Sequence, residues 1–195
     1  MLSYKDSLKI LKRTKALQEG HFLLSSGLHS DKYIQCAKLL SFPKYSIKIC
    51  NSLAKKIKKN FPKMNLILSP AIGGIVIGYE IGRQLNIETI FSERVKGKFK
   101  LRRGFNIDKK SNVVIIEDVI TTGKSSLECS KLIRKAQGKL LGYGCIIDRS
   151  NKKNLKIKNK KIVSQIKINI PAYKKKNIPD YLKKIPIKKP GSRFV

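Results

Sequence analysis

Apolar residues recur along the chain at two spacings, and the switching between them predicts helices interleaved with strands. Ser3 and Asp6 resemble a capping box, and Leu8, Leu11 and Leu17, with Gly20 beyond, predict a first helix. Residues 22–24 and 32–36 read as short strands around a turn at Ser25-Ser26-Gly27. Pro43 opens a second helix whose apolar positions Ile47, Cys50, Ala54, Ile57 and Phe61 keep helical spacing. Residues 66–68 predict a short buried strand, Gly73 and Gly74 introduce a third helix, and residues 87–91 form another strand.

Residues 96–103 are basic, carry Gly97 and precede Gly104, a pattern that predicts a mobile loop. Val113, Val114, Ile115 and Ile116 form a β-branched run, the mark of a strand buried on both faces. A helix follows with Cys129, Leu132, Ile133 and Ala136 on one face and Gly138 as its stop. Residues 140–147 and 162–170 are further strands, and the Lys-rich residues 152–161 read as an exposed hairpin. Strands alternating with helices of this length predict an α/β fold around a largely parallel sheet.

Composition narrows the class. The 195 residues suit one domain over 1–195, and 41% hydrophobic with 29% charged residues excludes a disordered chain. The longest apolar stretch, residues 71–79, is interrupted by Gly73, Gly74 and Gly78, so no membrane span is expected, and no secretory signal is visible. Cys36, Cys50, Cys129 and Cys145 are far apart, which argues against a zinc module and fits reduced thiols in a cytoplasm. The net charge of +32 invites a nucleic-acid reading. However, 36 Lys against 8 Arg, with 27 Ile and 11 Asn, matches A/T-rich codons, and coding bias accounts for the excess without a specific nucleic acid. In such a chain the scarce arginines, among them Arg94, Arg102, Arg103, Arg149 and Arg193, mark places that want a planar two-pronged donor.

The chemistry lies in Val113-Val114-Ile115-Ile116-Glu117-Asp118-Val119-Ile120-Thr121-Thr122-Gly123-Lys124-Ser125. A buried strand delivers Glu117 and Asp118 at its carboxyl end, where open α/β sheets bind ligands. The hydroxyl- and glycine-bearing turn then opens a helix, whose free N–H groups and dipole suit a phosphate. Carboxylates accept from vicinal hydroxyls, so a ribose 5-phosphate fits both halves. A nucleotide P-loop is excluded, because Asp118 stands where that motif needs its first glycine.

This string resembles the phosphoribosyl diphosphate (PRPP) signature of type I phosphoribosyltransferases. The flanks Gly20-His21-Phe22-Leu23-Leu24-Ser25-Ser26-Gly27-Leu28-His29-Ser30, Ser69-Pro70-Ala71-Ile72-Gly73-Gly74, Glu93-Arg94-Val95, Leu101-Arg102-Arg103-Gly104-Phe105, Asp148-Arg149-Ser150 and Lys189-Pro190-Gly191-Ser192-Arg193 are similar to those of bacterial orotate phosphoribosyltransferases. The resemblance implies a parallel sheet flanked by helices, a small N-terminal hood and a flexible loop over the site. It implies transfer of ribose 5-phosphate from PRPP to orotate, a pentosyl transfer of pyrimidine synthesis, with Mg²⁺ held mainly through PRPP and water.

By the same resemblance PRPP would meet Arg94, Glu117, Asp118, Val119, Ile120, Thr121, Thr122, Gly123, Lys124 and Ser125. Glu117 and Asp118 would hold the ribose hydroxyls, and Thr121 and Arg149 would meet orotate. Lys98 and Asp118 are the expected catalytic residues, with residues 96–103 closing over the diphosphate, shared across a homodimer. Some relatives carry Lys where Gly73 and Ser25 stand, and some carry Cys-Pro-x-Cys where this chain has Ile178-Pro179-Asp180-Tyr181, so neither lysine role transfers and no metal clip is expected. The rival readings are a purine phosphoribosyltransferase and an RNA-binding regulator on the same fold. His21 and His29 are expected to serve packing.

Overall fold

Val113, Val114, Ile115 and Ile116 are completely buried, as an all-β-branched run requires, and they run through the middle of the main sheet. The computed structural model describes residues 1–24, 26–151 and 153–190; Ser25, Lys152, Arg193 and the expectations placed on them lie outside these. The chain begins with helix α1 (Tyr4–Arg13) and the antiparallel strands β1 (Leu17–Leu23) and β2 (His29–Ile34). Helices α2 (Cys36–Leu40) and α3 (Pro43–Asn60) follow, then β3 (Leu66–Pro70), α4 (Gly73–Leu85), β4 (Glu88–Val95) and β5 (Lys98–Leu101). Next come β6 (Asn112–Ile120), α5 (Lys124–Lys135), β7 (Lys139–Asp148) and β8 (Lys161–Lys167). The one-turn helix α6 (Asp180–Lys183) and the two-residue strand β9 (Ile187–Lys188) end the described chain.

The main sheet has the order β5-β4-β3-β6-β7-β8, and all its neighbours are parallel except β4 and β5. From the β3–β6 pair the chain winds outward in both directions. That reversal leaves a crevice at the carboxyl ends of β3 and β6, and α4 and α5 both begin there. Strands β2, β1 and β9 form a separate small sheet, the expected hood, and His29 bridges it to Tyr173 through paired main-chain hydrogen bonds of 2.8 and 2.7 Å.

Successive residues of β6 face opposite layers. Val114 and Ile116 pack with Ile49, Leu53 and Ile57 of α3 and Ile77 and Ile81 of α4, whereas Val113 and Ile115 pack with Cys129 and Ile133 of α5. Each such side chain contributes about 1.5–3 kcal/mol over an exposed one. Helix α4 presses closely on β3 and β4 through glycine: a methyl at Gly78 or Gly82 would collide with Ser69 or Thr89. At the far edge, Lys56 of α3 donates from Nζ to the carbonyls of Ser164 (3.3 Å) and Gln165 (2.9 Å) in β8. No helix among the described residues is long and apolar enough to cross a membrane.

Three expectations are corrected. Helix α1 ends at Arg13: Thr14 turns its hydroxyl onto the Ile10 carbonyl (2.9 Å), Lys15 takes φ +55°, and Leu17 starts β1. Residues 96–103 are not an unpaired loop, because Lys98, Phe99, Lys100 and Leu101 pair with β4 in a hairpin. Lys96 (φ +48°) and Gly97 (φ +77°) make the tight turn, and Phe99 and Leu101 pack on the α5-side core. The described residues of 152–161, which are 153–161, do not form the expected hairpin either. Among the described residues of this stretch only Lys161 is in a strand, and Ile157 turns inward to be buried.

Candidate active site

The strand pleat separates the two acids. Glu117 follows Val113 and Ile115 on the α5 side, where the Ser126 hydroxyl donates to its Oε1. Asp118 follows Val114 and Ile116 on the α4 side, and its Oδ1 accepts the Val119 N–H at 2.8 Å. A Cβ at Gly73 would stand 2.9 Å from Asp118 Oδ2, so a side chain there would press on the carboxylate. Burial pushes the Glu117 carboxyl up to about 7, opposed by the Ser126 hydrogen bond and reinforced by Asp118. Burial also raises Asp118, and the Val119 N–H counters it. Neither acid has a cationic partner among the described ion pairs.

Val119 and Ile120 complete β6, and Thr121, Thr122 and Gly123 turn the chain into α5. Gly123, at φ +68°, is the residue before the helix, a conformation that disfavours any side chain. Thr121 and Lys124 are exposed and Thr122 and Ser125 half-buried, and the Thr122 hydroxyl accepts the Lys124 N–H at 3.4 Å. The first-turn amides of α5 lack helical acceptors, and no acid occupies that turn. Both features suit an anion. The turn is held from behind by the β7–β8 connection: Lys156 N–H donates to the Thr122 carbonyl at 2.8 Å, and Ile157 lies against Gly123.

Arg149 follows β7 and donates its main-chain N–H to the Ile120 carbonyl at 2.8 Å, which brings it to the same strand end. Its side-chain Nε is buried and has no hydrogen-bond partner. Burial lowers the guanidinium from its ordinary value, with Tyr33 of the hood strand β2 opposing. Arg94 and Lys98 are not joined to this cluster. Arg94 pairs with Glu128 (2.9 Å), donates to the Gly97 carbonyl (2.7 Å) and stacks 4.2 Å over the Phe99 ring. Lys98 is exposed at the start of β5. Sequence reasoning missed Ser126, Lys156 and Ile157. Only the alternation Leu155-Lys156-Ile157-Lys158 hinted that the Lys-rich stretch buries something.

Among the described residues no group of three or more His, Cys, Asp or Glu is placed to hold a metal ion. The oxygen donors of Glu117 and Asp118 suit a hard cation that keeps most of its ligands from water and substrate.

Residues 43–176 match the model of the phosphoribosyl transferase domain family. The orotate phosphoribosyltransferase of Thermoanaerobacter sp. is 42% identical over 190 residues, covering 97% of each chain. That of Caldanaerobacter subterraneus is 42% identical over 187 residues, covering 95% of this chain and 96% of its own. The crystal structure of orotate phosphoribosyltransferase from Aeropyrum pernix superposes with TM-score 0.72 at 21% identity, covering 82% of this chain and 92% of that one, a likeness of fold. Near-complete coverage at this identity joins with the acid pair, the anion-ready turn and the unpaired arginine on one crevice, and the chain belongs to the phosphoribosyltransferase family, in its orotate phosphoribosyltransferase branch.

Proposed function

We propose that the protein transfers ribose 5-phosphate from PRPP to orotate, giving orotidine 5-monophosphate and diphosphate. The observation that carries the choice of base is Arg149, a half-buried arginine whose buried Nε lacks a partner. Orotate brings a carboxylate that such a fork binds in two-pronged fashion, and a purine brings none. The first turn of α5, with Thr121, Thr122, Gly123, Lys124 and Ser125, grips the 5-phosphate through amides and hydroxyls. Glu117 and Asp118 accept from the ribose hydroxyls at the carboxyl end of β6, with the main chain of Val119 and Ile120 beside the sugar. Thr121 meets the base together with Arg149.

The N1–C1 bond forms as the C1–O bond to diphosphate breaks, its electron pair leaves with the diphosphate oxygen, and the N1 proton of orotate passes to the departing diphosphate or water. Positive charge builds on the ribose meanwhile, and the nearby carboxylates stabilise it. Arg149, by holding the carboxylate, keeps N1 in line with C1. Mg²⁺, held mainly through PRPP and water, would supply neutralisation of the departing diphosphate. Arg94 and Lys98, on the β4–β5 hairpin, act on that diphosphate, with Lys98 the catalytic cation.

The protein works in the cytosol, a setting supported by four cysteines that are all free and buried. It pairs as a homodimer whose hairpins reach neighbouring sites. The support is an exposed apolar stripe at helical spacing, Ile72, Val76 and Tyr79, beside the crevice on α4. Sedimentation velocity tests the dimer, and a Tyr79→Glu chain that sediments as the parent does refutes that interface. The reaction is tested by product formation from PRPP and Mg²⁺ with orotate, uracil, adenine or hypoxanthine. Orotate alone should react, and turnover of adenine or hypoxanthine would favour the purine reading.

A further inference from the structure

The β7–β8 connection touches the candidate site at two places. It starts at Arg149, whose main-chain N–H is bonded to the Ile120 carbonyl at 2.8 Å. Beyond it, the Asn151 carbonyl accepts from the N–H groups of Asn154 and Leu155, each at 3.0 Å. Leu155 packs on the α5-side core. The next residue, Lys156, uses its main-chain N–H on the Thr122 carbonyl at 2.8 Å, and its side chain is exposed. Ile157 is 3% exposed, and its Cγ1 would lie 2.8 Å from a Cβ built on Gly123. An apolar side chain thus occupies the space behind the left-handed residue that aims the α5 amides outward.

We infer that this connection is a strut for the phosphate-gripping turn, with Ile157 as a positioning residue that fixes Gly123 through packing and the Lys156 amide that fixes Thr122. The inference rests on the PRPP reading of the turn. The strut gives the two half-sites a shared mechanical support, since it runs from the base-binding arginine to the backbone that grips the phosphate. It works by shape and by a main-chain hydrogen bond. The lysine charge on it has no part.

The test uses ribose 5-phosphate as a probe that needs no base, with its Kd measured by calorimetry beside steady-state kinetics. Ile157→Ala should weaken ribose 5-phosphate and raise KM for PRPP about tenfold, with kcat at saturation within about threefold of the parent. Ile157→Val, which keeps the β-branch against Gly123, should restore most of the affinity. Lys156→Ala keeps the amide and should bind as the parent does. Unchanged ribose 5-phosphate affinity in Ile157→Ala would overturn the strut, as would an equal loss in Lys156→Ala, which would assign the effect to charge. Should Ile157→Ala fail to fold, Ile157→Leu, equal in volume with one methyl moved, should show the same KM rise without a kcat change, and a parent-like KM there refutes the inference. A parent chain that binds no ribose 5-phosphate would instead sink the PRPP reading itself.

Discussion

Replacing Glu117 by Gln should abolish turnover and yet stabilise the fold, increasingly so as pH rises. Burial lifts the Glu117 carboxyl from 4.5 to about 7, so across that interval the folded chain holds a proton that the unfolded chain has lost. Stability therefore declines as pH rises from 4.5 towards about 7 and stays reduced above it. One pKa unit corresponds to about 1.4 kcal/mol, which makes the full penalty roughly 3 kcal/mol. Glutamine carries no charge and still offers an oxygen to the Ser126 hydroxyl, so the substitution removes the penalty and keeps the hydrogen bond. The stability gap between variant and parent should be small at about pH 4.5 and open to roughly 3 kcal/mol at about pH 8, read from urea unfolding midpoints. An equal gap at both pH values would refute the electrostatic reasoning. Retained turnover with parent-like KM for PRPP would refute the placement of this acid on the ribose, and Asp118→Asn should be equally inactive.

Arg149→Lys keeps the charge and loses the fork, so orotate should bind at least tenfold more weakly, about 1.4 kcal/mol, with PRPP little affected. A loss confined to PRPP would move Arg149 to the phosphate side. Lys98→Ala should slow kcat markedly, while Lys153, Lys160 and Lys161 replaced together by Ala should leave it near the parent value. Equal slowing in both chains would reduce the lysines to a general field. The buried His21 and His29 give an acid-side prediction. The Ile185 carbonyl 3.2 Å from His21 Nδ1 only accepts, so that nitrogen carries the proton and His21 Nε2 accepts from His29 Nδ1 at 2.7 Å. Burial, then His21, then Lys175, hold His29 below 6.5, so its contribution is intact above 6.5 and lost as pH falls through the lower folded value. His29→Asn, which can still donate, should flatten the fall of Tm with acid, and a fall as steep as the parent's would count against the pair.

Strongly periodic stretches were legible. The helical spacing from Ile47 to Phe61 became α3, and the run from Val113 to Ile116 became the sheet centre, because burial on both faces leaves no choice of residue. The acid pair and its turn were legible as chemistry, but their divergence onto opposite faces of β6 follows from the pleat only once the strand is known to continue through Ile120. The β4–β5 hairpin was hidden because Lys-Gly replaces the usual Asn-Gly at its turn, and charge outweighed the alternation of Phe99 and Leu101. Helix α2 and strand β9 are too short to carry a period, and contacts distant in sequence create them. The packing of Ile157 behind Gly123 is of the same kind: only the fold brings them together.

The two margins of the main sheet, β5 and β8, have consequences for behaviour at high concentration. Unpaired strand margins invite other chains to add on, and β5 answers with exposed Lys98 and Lys100. At the opposite margin Lys161 and Lys167 are exposed, and the Lys56 ammonium sits on the β8 carbonyls of Ser164 and Gln165. Copies that approach margin to margin therefore meet like charge, and within a chain of net charge +32 this amounts to built-in colloidal protection. The protection is electrostatic and so conditional. Salt that shortens the Debye length to about 3 Å at 1 M, or a polyanion that coats the lysines, should strip it away and let the protein aggregate while its active crevice stays folded.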